Sequence, residues 1–198
     1  RPRKGCRNVA GKKVIGVLAL QGAFVEHEAA LRRCGAKAIR VRRKEELEGI
    51  DGLIIPGGES TSIGRLLIAY DLAETIVERS QTGMPIFGTC AGMIVMAKEI
   101  PGSDQFTLGL MDISARRNAF GRQVESFEAD LDVKGFPRPV RGIFIRAPYI
   151  DRVWGETEVL SVYEGKVVMA RERNLLTCSF HPELTTDLSI HKYFLDMA

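Results

Sequence analysis

Four short strand-like runs in the first half of the chain most constrain its fold. They lie at Val14–Leu20, Lys37–Val41, Asp51–Ile55 and Met84–Gly88. Most of them are nearly continuous in apolar residues, which is typical of strands buried on both faces of a parallel sheet. Segments with helical spacing alternate with these runs, at Ala23–Cys34, from Ser60 or Thr61 to Tyr70, at Leu72–Ser80 and at Ala91–Glu99. This alternation predicts an open α/β sheet with right-handed crossovers.

The second half of the chain has a different pattern. From about Met111 onwards the strand-like runs are Phe127–Val133, Gly142–Ile145, Val159–Tyr163, Lys166–Ala170 and Leu175–Ser179. Glu164-Gly165 predicts a hairpin turn between two of them, and Thr186–Met197 has the spacing of a final helix. We therefore predict one α/β domain over residues 13–198, with three layers. Its sheet is open and mostly parallel with helices on both faces, and it carries an antiparallel extension.

The charge of the chain is concentrated at one end. The whole sequence has 28 basic and 25 acidic residues, but residues 1–13 hold six of the bases and no acid. The remainder, with 22 bases and 25 acids, has a net charge of −3, which argues against a nucleic-acid partner. We expect residues 1–12 to be a basic arm, either disordered or foreign to the domain.

Membrane and metal readings find little support in the sequence. The most apolar stretches, Val14–Leu20 and Ile86–Ala97, are too short or too broken to cross a bilayer. The four cysteines make neither a disulfide scaffold nor a C-x-x-C zinc pair. We therefore expect a cytoplasmic protein without a bound metal.

Gly88-Thr89-Cys90-Ala91-Gly92 is the sharpest local motif. It follows an apolar strand and opens a helix, like the G-x-S-x-G nucleophile elbow with Cys in place of Ser. Small neighbours are needed in such a tight turn, and the helix N-terminus favours a thiolate. The motif predicts Cys90 as a nucleophile, with the backbone N–H of Ala91 as one donor to an oxyanion. Without the flanking glycines, a buried inert cysteine would be the better interpretation.

His181 is the best candidate for the base that a cysteine nucleophile needs. It follows the predicted strand Leu175–Ser179, and in an extended segment Glu183 would point to the same side and accept a hydrogen bond from the imidazole. An isolated His-x-Glu is more often a solvated turn. His27 and His191 fall on predicted helices, where packing or surface positions are expected.

Pro56-Gly57-Gly58-Glu59-Ser60 also follows a predicted parallel strand. Ligands of open α/β sheets bind at this edge, and two glycines let the backbone approach a substrate closely. The N–H of Gly58 is the expected second oxyanion donor. An ordinary turn capped by Ser60 or Thr61 is about as good an interpretation of this segment alone, whereas a phosphate site is weaker because no Gly-Lys-Ser/Thr follows. The agreement of three segments at strand ends favours a cysteine-dependent enzyme.

The Cys90 elbow with His-Pro-Glu far downstream resembles the triad-type, class I glutamine amidotransferases, which have a flavodoxin-like fold. Longer strings are similar to the glutaminase subunits of the deoxyxylulose-phosphate-independent pyridoxal 5′-phosphate synthases. These strings are Leu18–His27, Pro56–Thr61, Arg117–Leu131, Phe144–Pro148 and Ser179–Asp187. The resemblance runs from about Val14 to the end of the chain, and it is the combination of strings that is specific.

The resemblance implies hydrolysis of L-glutamine through a thioester on Cys90, with His181 as acid and base, Glu183 orienting it, and no cofactor. It implies that ammonia passes to a (β/α)8-barrel synthase subunit in a large hetero-oligomer. It also implies that Gln21 and Gly22 take part in activation and in the subunit interface. Arg116 departs from the family pattern, since an acidic residue is expected there. By the same resemblance, glutamine is bound by Gly58, Glu59, Ser60, Arg117, Ile145 and Arg146.

Three other functions remain open from the residues alone. The chain could serve a different ammonia acceptor, such as a purine, tryptophan or histidine pathway, although the long Arg117–Leu131 string favours the pyridoxal family. It could be a cysteine peptidase or glyoxalase-like member of the same broad fold, but His-Pro-Glu favours an amidotransferase. A purely regulatory subunit would be expected to lack Cys90, His181 or Glu183, and the chain has all three.

Overall fold

Strands and helices alternate through the first half of the chain. The structure is a computed structural model that describes residues 11–121 and 125–198. The elements of this half are β1 (Val14–Leu18), α1 (Phe24–Arg33), β2 (Lys37–Val41), β3 (Gly52–Ile55), α2 (Ser60–Ala69), α3 (Ala73–Gln81), β4 (Ile86–Thr89) and α4 (Ala91–Met96). A 3-10 helix, Lys44–Leu47, connects β2 to β3.

The second half is mostly strands. Its elements are β5 (Ala97–Glu99), β6 (Met111–Arg116), β7 (Ser126–Leu131), β8 (Val140–Ile145), β9 (Tyr149–Val153), β10 (Glu158–Tyr163), β11 (Lys166–Glu172), β12 (Leu175–Cys178) and α5 (Ser189–Met197). A short 3-10 turn, Pro182–Leu184, lies between β12 and α5.

The main sheet has ten strands. Neighbouring strands on one side of the strand order are parallel, whereas most of those on the other side are antiparallel. The order is β2-β1-β3-β4-β12-β11-β9-β6-β5, with β10 paired to β11. The pairs from β2 to β12 are parallel, whereas β12-β11, β11-β9 and β9-β6 are antiparallel. β7 and β8 form a separate antiparallel pair. The predicted fold class, a mostly parallel sheet with an antiparallel extension, is confirmed.

Alternate residues of the central strands point into two apolar layers. Leu53 and Ile55 of β3 pack into one layer, whereas Ile54 packs into the other. The first layer also contains side chains of α2, α3 and α4, and the second contains side chains of α1 and α5, such as Leu31 and Phe194. Every residue of β3, β4 and β12 is buried, so their sequences are nearly continuous in apolar residues.

Two predicted elements need correction. The helix predicted over Ala91–Glu99 ends at Met96, because Ala97 turns to an extended conformation and pairs with Met111 of β6. The cap of α2 is Glu59 rather than Ser60 or Thr61, since its carboxylate accepts hydrogen bonds from the backbone N–H groups of Thr61 and Ser62.

Two other features bear on the sequence predictions. The predicted Glu164-Gly165 turn joins β10 to β11, and both residues have positive φ, as a two-residue hairpin of this kind requires.

Residues 1–10 of the predicted arm lie outside the described residues, as do residues 122–124. Among the described residues, none of the helices has the length and apolarity needed to cross a membrane.

Candidate active site

Four neighbouring parallel strands end at one edge of the sheet, and each is followed by a predicted site residue. β1 leads to Gln21, β3 to Gly58, β4 to Cys90 and β12 to His181. The register pairs Ile55 with Gly88 and Cys178 with Thr89, so the segments after these strands begin side by side. The predicted convergence of three segments at this edge is therefore present in the fold.

Cys90 occupies a strained turn. Its φ of 53° and ψ of −111° lie outside the regions that residues with a Cβ prefer. A Cβ added at Gly92 would lie 2.2 Å from the carbonyl oxygen of Ile55, and one at Gly88 would lie 2.5 Å from Sδ of Met96. The two glycines are therefore sterically required, which is the reason the elbow motif needs them.

His181 and Glu183 form a close buried pair. Nδ1 of His181 lies 2.6 Å from Oε1 of Glu183, and both residues are more than nine-tenths buried. Glu183 reaches the imidazole from the 3-10 turn Pro182–Leu184 rather than from an extended segment, so the predicted contact is confirmed but its predicted backbone geometry is wrong. The backbone N–H of His181 donates to the carbonyl of Ile143, which ties the loop to β8.

The imidazole of His181 and the side chain of Cys90 meet over Gly57. A Cβ placed on Gly57 would lie 2.8 Å from Cε1 of His181 and 3.3 Å from Cβ of Cys90. Burial disfavours a charged imidazole, but hydrogen bonds to Cys90 and Glu183 and their negative charge outweigh it and raise the pKa of His181 to about 10. An imidazolium in this position stabilises negative charge on Sγ of Cys90.

A cavity of about 450 Å³ opens in front of Cys90, which is room for a small amino acid. It is bounded by residues from loops that follow the parallel strands and by residues from loops that follow β6 and β8. Its lining consists of Gly58, Glu59, Ser60, Cys90, Ala91, Ile94, Arg117, Asn118, Arg146 and Pro148. Ile145 is absent from that lining, but its carbonyl oxygen lies 3.9 Å from Sγ of Cys90.

The two candidate binding arginines have different partners. Nη2 of Arg117 donates to the hydroxyls of Ser60 at 2.9 Å and Thr61 at 3.1 Å, and also to the side chain of Gln105. Arg146, with a φ of 44°, pairs with the Glu125 carboxylate at 3.1 Å, and both side chains are largely exposed. Arg117 is thus fixed toward the cavity by neutral groups, whereas the charge of Arg146 has an exposed acidic partner.

The Pro56–Ser60 loop is held by Gln21 and by Glu59 itself. Oε1 of Gln21 accepts from the backbone N–H of Glu59 at 2.6 Å. A Cβ on Gly22 would overlap the carbonyl oxygen of Gly57, so the β1 loop and this loop are in direct contact. Hydrogen bonds from Ser62 and Thr61 outweigh desolvation and lower the pKa of Glu59 to about 2.

Sequence reasoning missed two residues behind the site. His27 and His191, expected to be packing or surface histidines, are both fully buried, and His27 approaches Glu183. Residue 27 is more than 150 positions away in sequence from residues 183 and 191, so no local pattern signals its contact with them. Arg116, the departure from the family pattern, instead pairs with Asp151 at 2.8 Å and does not line the cavity.

Comparison with known proteins agrees with this arrangement. Residues 17–198 match the model of the SNO glutamine amidotransferase family. The chain belongs to the SNO glutamine amidotransferase family. A solved structure described as a glutamine amidotransferase superposes with a TM-score of 0.89 at 50% identity, covering 92% of this chain and 97% of that one.

Two curated relatives carry a more specific name. The relative from Pelotomaculum thermopropionicum is 59% identical over 92% of this chain and 93% of its own length. The relative from Desulforamulus reducens is 56% identical over 93% of this chain and 98% of its own length. Both are named pyridoxal 5′-phosphate synthase subunit PdxT. For this member of the SNO family, the resemblance predicted from the sequence is confirmed.

Proposed function

We propose that this chain hydrolyses L-glutamine to L-glutamate and ammonia and supplies the ammonia for pyridoxal 5′-phosphate synthesis. The observation that carries the proposal is the placement of Cys90, His181 and Glu183 at the ends of adjacent strands β4 and β12, beside a cavity of amino-acid size. The names of the relatives, which are 52–59% identical, support the pyridoxal branch over other ammonia acceptors.

The first half of the reaction forms a thioester. Sγ of Cys90, whose proton the imidazole of His181 has already taken, attacks the side-chain carboxamide carbon of glutamine. His181 then donates a proton to the departing nitrogen as the C–N bond breaks, so ammonia leaves. The 2.6 Å contact with Glu183 keeps the imidazole in the orientation that both proton transfers need.

The second half releases glutamate. His181 takes a proton from water, and the resulting hydroxide attacks the thioester carbon; the C–S bond breaks and the thiol of Cys90 is regenerated. Both steps pass through a tetrahedral oxyanion. The backbone N–H groups of Ala91 and Gly58 are the proposed donors to it, because Ala91 begins α4 and both residues line the cavity next to Cys90.

Recognition of glutamine requires groups for its α-carboxylate and α-amino ends. We assign the carboxylate to the guanidinium groups of Arg117 and Arg146, which line the same cavity as Cys90. Gly58, Glu59 and Ser60 bind from the β3 loop. Ile145 contributes its backbone, whose carbonyl already faces the thiol.

The proposed partner is a synthase subunit, because both curated relatives are named as subunits of the synthase. The family resemblance implies that this partner is a (β/α)8-barrel and that the two form a large hetero-oligomer. Gln21 and Gly22 contact the loop that carries the Gly58 donor, so a partner that touches the β1 loop also acts on the oxyanion site. We place the reaction in the cytoplasm, which agrees with free thiols at Cys34, Cys90 and Cys178.

The decisive experiment measures glutamate release from glutamine with and without the cognate synthase subunit. Wild-type protein is expected to turn over strongly only with the synthase, and Cys90→Ala is expected to lose turnover entirely. Cys34→Ala is the matched control, since this cysteine follows α1 at a distance from the cavity lining and should leave turnover unchanged. Equal release by wild type and Cys90→Ala would refute the mechanism, and equal turnover with and without synthase would refute the activation.

A further inference from the structure

Two histidines lie behind the triad, on the side of Glu183 away from His181. His27 of α1 and His191 of α5 have no solvent exposure, and Nδ1 of His27 lies 2.9 Å from Nε2 of His191. Nε2 of His27 lies 3.2 Å from the hydroxyl of Thr89 and 3.5 Å from Oε2 of Glu183. The proposed mechanism uses neither histidine.

Two orphan atoms determine where the protons lie. In residues 11–121 and 125–198, the buried side-chain polar atoms without a hydrogen-bond partner are Oε2 of Glu183 and Nδ1 of His191. An unpaired buried N–H is rarer than an unpaired acceptor, so Nδ1 of His191 is the bare nitrogen and Nε2 carries the hydrogen. His191 therefore donates to Nδ1 of His27.

The hydrogen of His27 must then be on Nε2. Burial, with the nearby His191 and His181 rings, lowers the pKa of His27 well below its usual range, so the ring is neutral and carries a single hydrogen. Its Nδ1 accepts from His191, which leaves Nε2–H facing both Thr89 and the orphan oxygen of Glu183.

We propose that His27 is a positioning residue for Glu183, and that its Nε2–H holds Oε2 from behind while His181 engages Oε1. The contact of 3.5 Å is long for a hydrogen bond, and bonds of this kind tighten when substrate binds and charge develops on the imidazole. His191 acts one step further back, because its own donated hydrogen bond fixes which nitrogen of His27 carries the proton. This inference rests on the proposed glutaminase function.

Titratable groups on several elements face Glu183. They are His181 on the loop after β12, His27 on α1, and the thiol of Cys178 in β12, with His191 beyond His27. His27 is the one among them that donates toward Oε2. Loss of this donor leaves Oε2 without a partner and frees the carboxylate to turn away from His181, so the proton transfers at His181 slow while the groups that bind glutamine are unchanged.

The first test compares variants of His27 in the complex with synthase. His27→Leu is expected to lower kcat for glutamine about tenfold and to leave KM nearly unchanged. His27→Gln keeps an N–H near the same place and should recover most of kcat. Leu31→Val, a fully buried change one turn along α1, should lower the melting temperature without changing kcat.

A double variant tests whether His191 acts on Glu183 through His27. His191→Leu should reduce kcat less than His27→Leu does. It removes only the hydrogen bond that fixes which nitrogen of His27 carries the proton, and His27 itself is still present. His27→Leu combined with His191→Leu should be no worse than His27→Leu alone, since both act through one hydrogen bond. Additive losses would overturn the proposed order from His191 through His27 to Glu183, and an unchanged kcat in His27→Leu would overturn the positioning role.

A last measurement separates this inference from the proposed function. This measurement is the rate at which iodoacetamide alkylates Cys90 at neutral pH, followed for the Cys90 peptide by mass spectrometry. It requires neither glutamine nor synthase. His27→Leu should slow the alkylation several-fold relative to wild type and to Leu31→Val, because His181 is less well held as the partner of the thiolate. Equal rates in all three proteins would overturn the inference. If wild type fails to hydrolyse glutamine but the alkylation rates differ as expected, the function fails and the positioning role stands.

Discussion

The two sides of the sheet contribute different groups to the same cavity. The parallel side, β1–β4 and β12, ends in the loops that carry Gly58, Cys90 and His181. The antiparallel side, named for most of its pairings and made of β11, β10, β9, β6 and β5, provides Arg117 after β6, and the separate β7-β8 pair provides Arg146 after β8. The groups proposed to break the amide bond thus lie on one side, and the groups proposed to hold the amino-acid end of glutamine lie mainly on the other.

The burial of the two sides explains this division. Strands β3, β4 and β12 are buried at every residue, so the loops after them are fixed closely enough to hold strained or hydrogen-bonded catalytic geometry, such as the positive φ of Cys90. Arg117 and Arg146 stand on exposed segments, where a long cation can meet a charged ligand without the cost of full burial. If the division holds, changes on the parallel side lower kcat and changes on the antiparallel side raise KM.

The largest expected effect comes from His181→Asn. The variant lacks the base beside Cys90, so kcat should fall on the order of 10⁴-fold. The dissociation constant of glutamine, measured by calorimetry in the complex with synthase, should change by less than about threefold, because the arginines and the β3 loop are intact. Loss of glutamine binding to the same degree as turnover would contradict the division.

The second prediction concerns the arginines. Arg117→Ala should raise KM for glutamine about tenfold to a hundredfold, since a charge-assisted contact to the α-carboxylate is lost, while kcat changes by only a few-fold. Arg146→Ala should act in the same direction. Arg116→Ala is the matched control, because this neighbouring arginine pairs with Asp151 outside the cavity. Equal rises in KM for Arg116→Ala and Arg117→Ala would show that the overall positive charge near the cavity, rather than a contact of Arg117 with the α-carboxylate, favours glutamine binding.

The same division separates what was predictable from sequence. Strands on the parallel side are buried on both faces, so β3 and β4 were predicted to within about two residues. β6 and β9 were not predicted as separate strands. They carry charged residues such as Asp112, Asp151 and Arg152 on partly exposed faces, and their pairing with each other joins segments far apart in the chain, for example Ile113 with Val153.

The site shows the same limit at the level of single residues. Cys90 was predictable because its turn sterically requires glycine two residues before and two residues after it, and the sequence has Gly88 and Gly92 there. His181 and Glu183 were predictable as a pair because they are near neighbours in sequence. The approach of His27 to Glu183 arises only when α1 and the Pro182–Leu184 turn pack together, so it follows from tertiary structure alone.

A smaller effect is expected for Glu59, which lies on the parallel side but is a candidate binding residue. Its carboxylate is occupied by Thr61 and Ser62, so Glu59→Gln should lower the free energy of unfolding by about 1 kcal/mol at neutral pH and change KM by less than about threefold. The folded-state pKa of about 2 lies below the usual 4.5, so the stabilisation is present above pH 4.5 and is lost as the pH falls through 2. Denaturant titrations of both proteins across this range test it. A large rise in KM would show instead that the Glu59 carboxylate itself binds glutamine.

The smallest effect is expected from deletion of residues 1–12. The arm joins the sheet where β1 begins at Val14, and the site lies beyond the other end of that strand, which spans about 17 Å. Exposed charges separated by more than about 8 Å are largely screened at physiological ionic strength, so charge at the start of β1 acts weakly on Arg117 and Arg146. Turnover with synthase, and KM, should therefore match those of the full chain within about twofold. A large loss of synthase-stimulated turnover, with glutamine binding intact, would instead place the arm in the contact with the synthase and add a third region to the comparison.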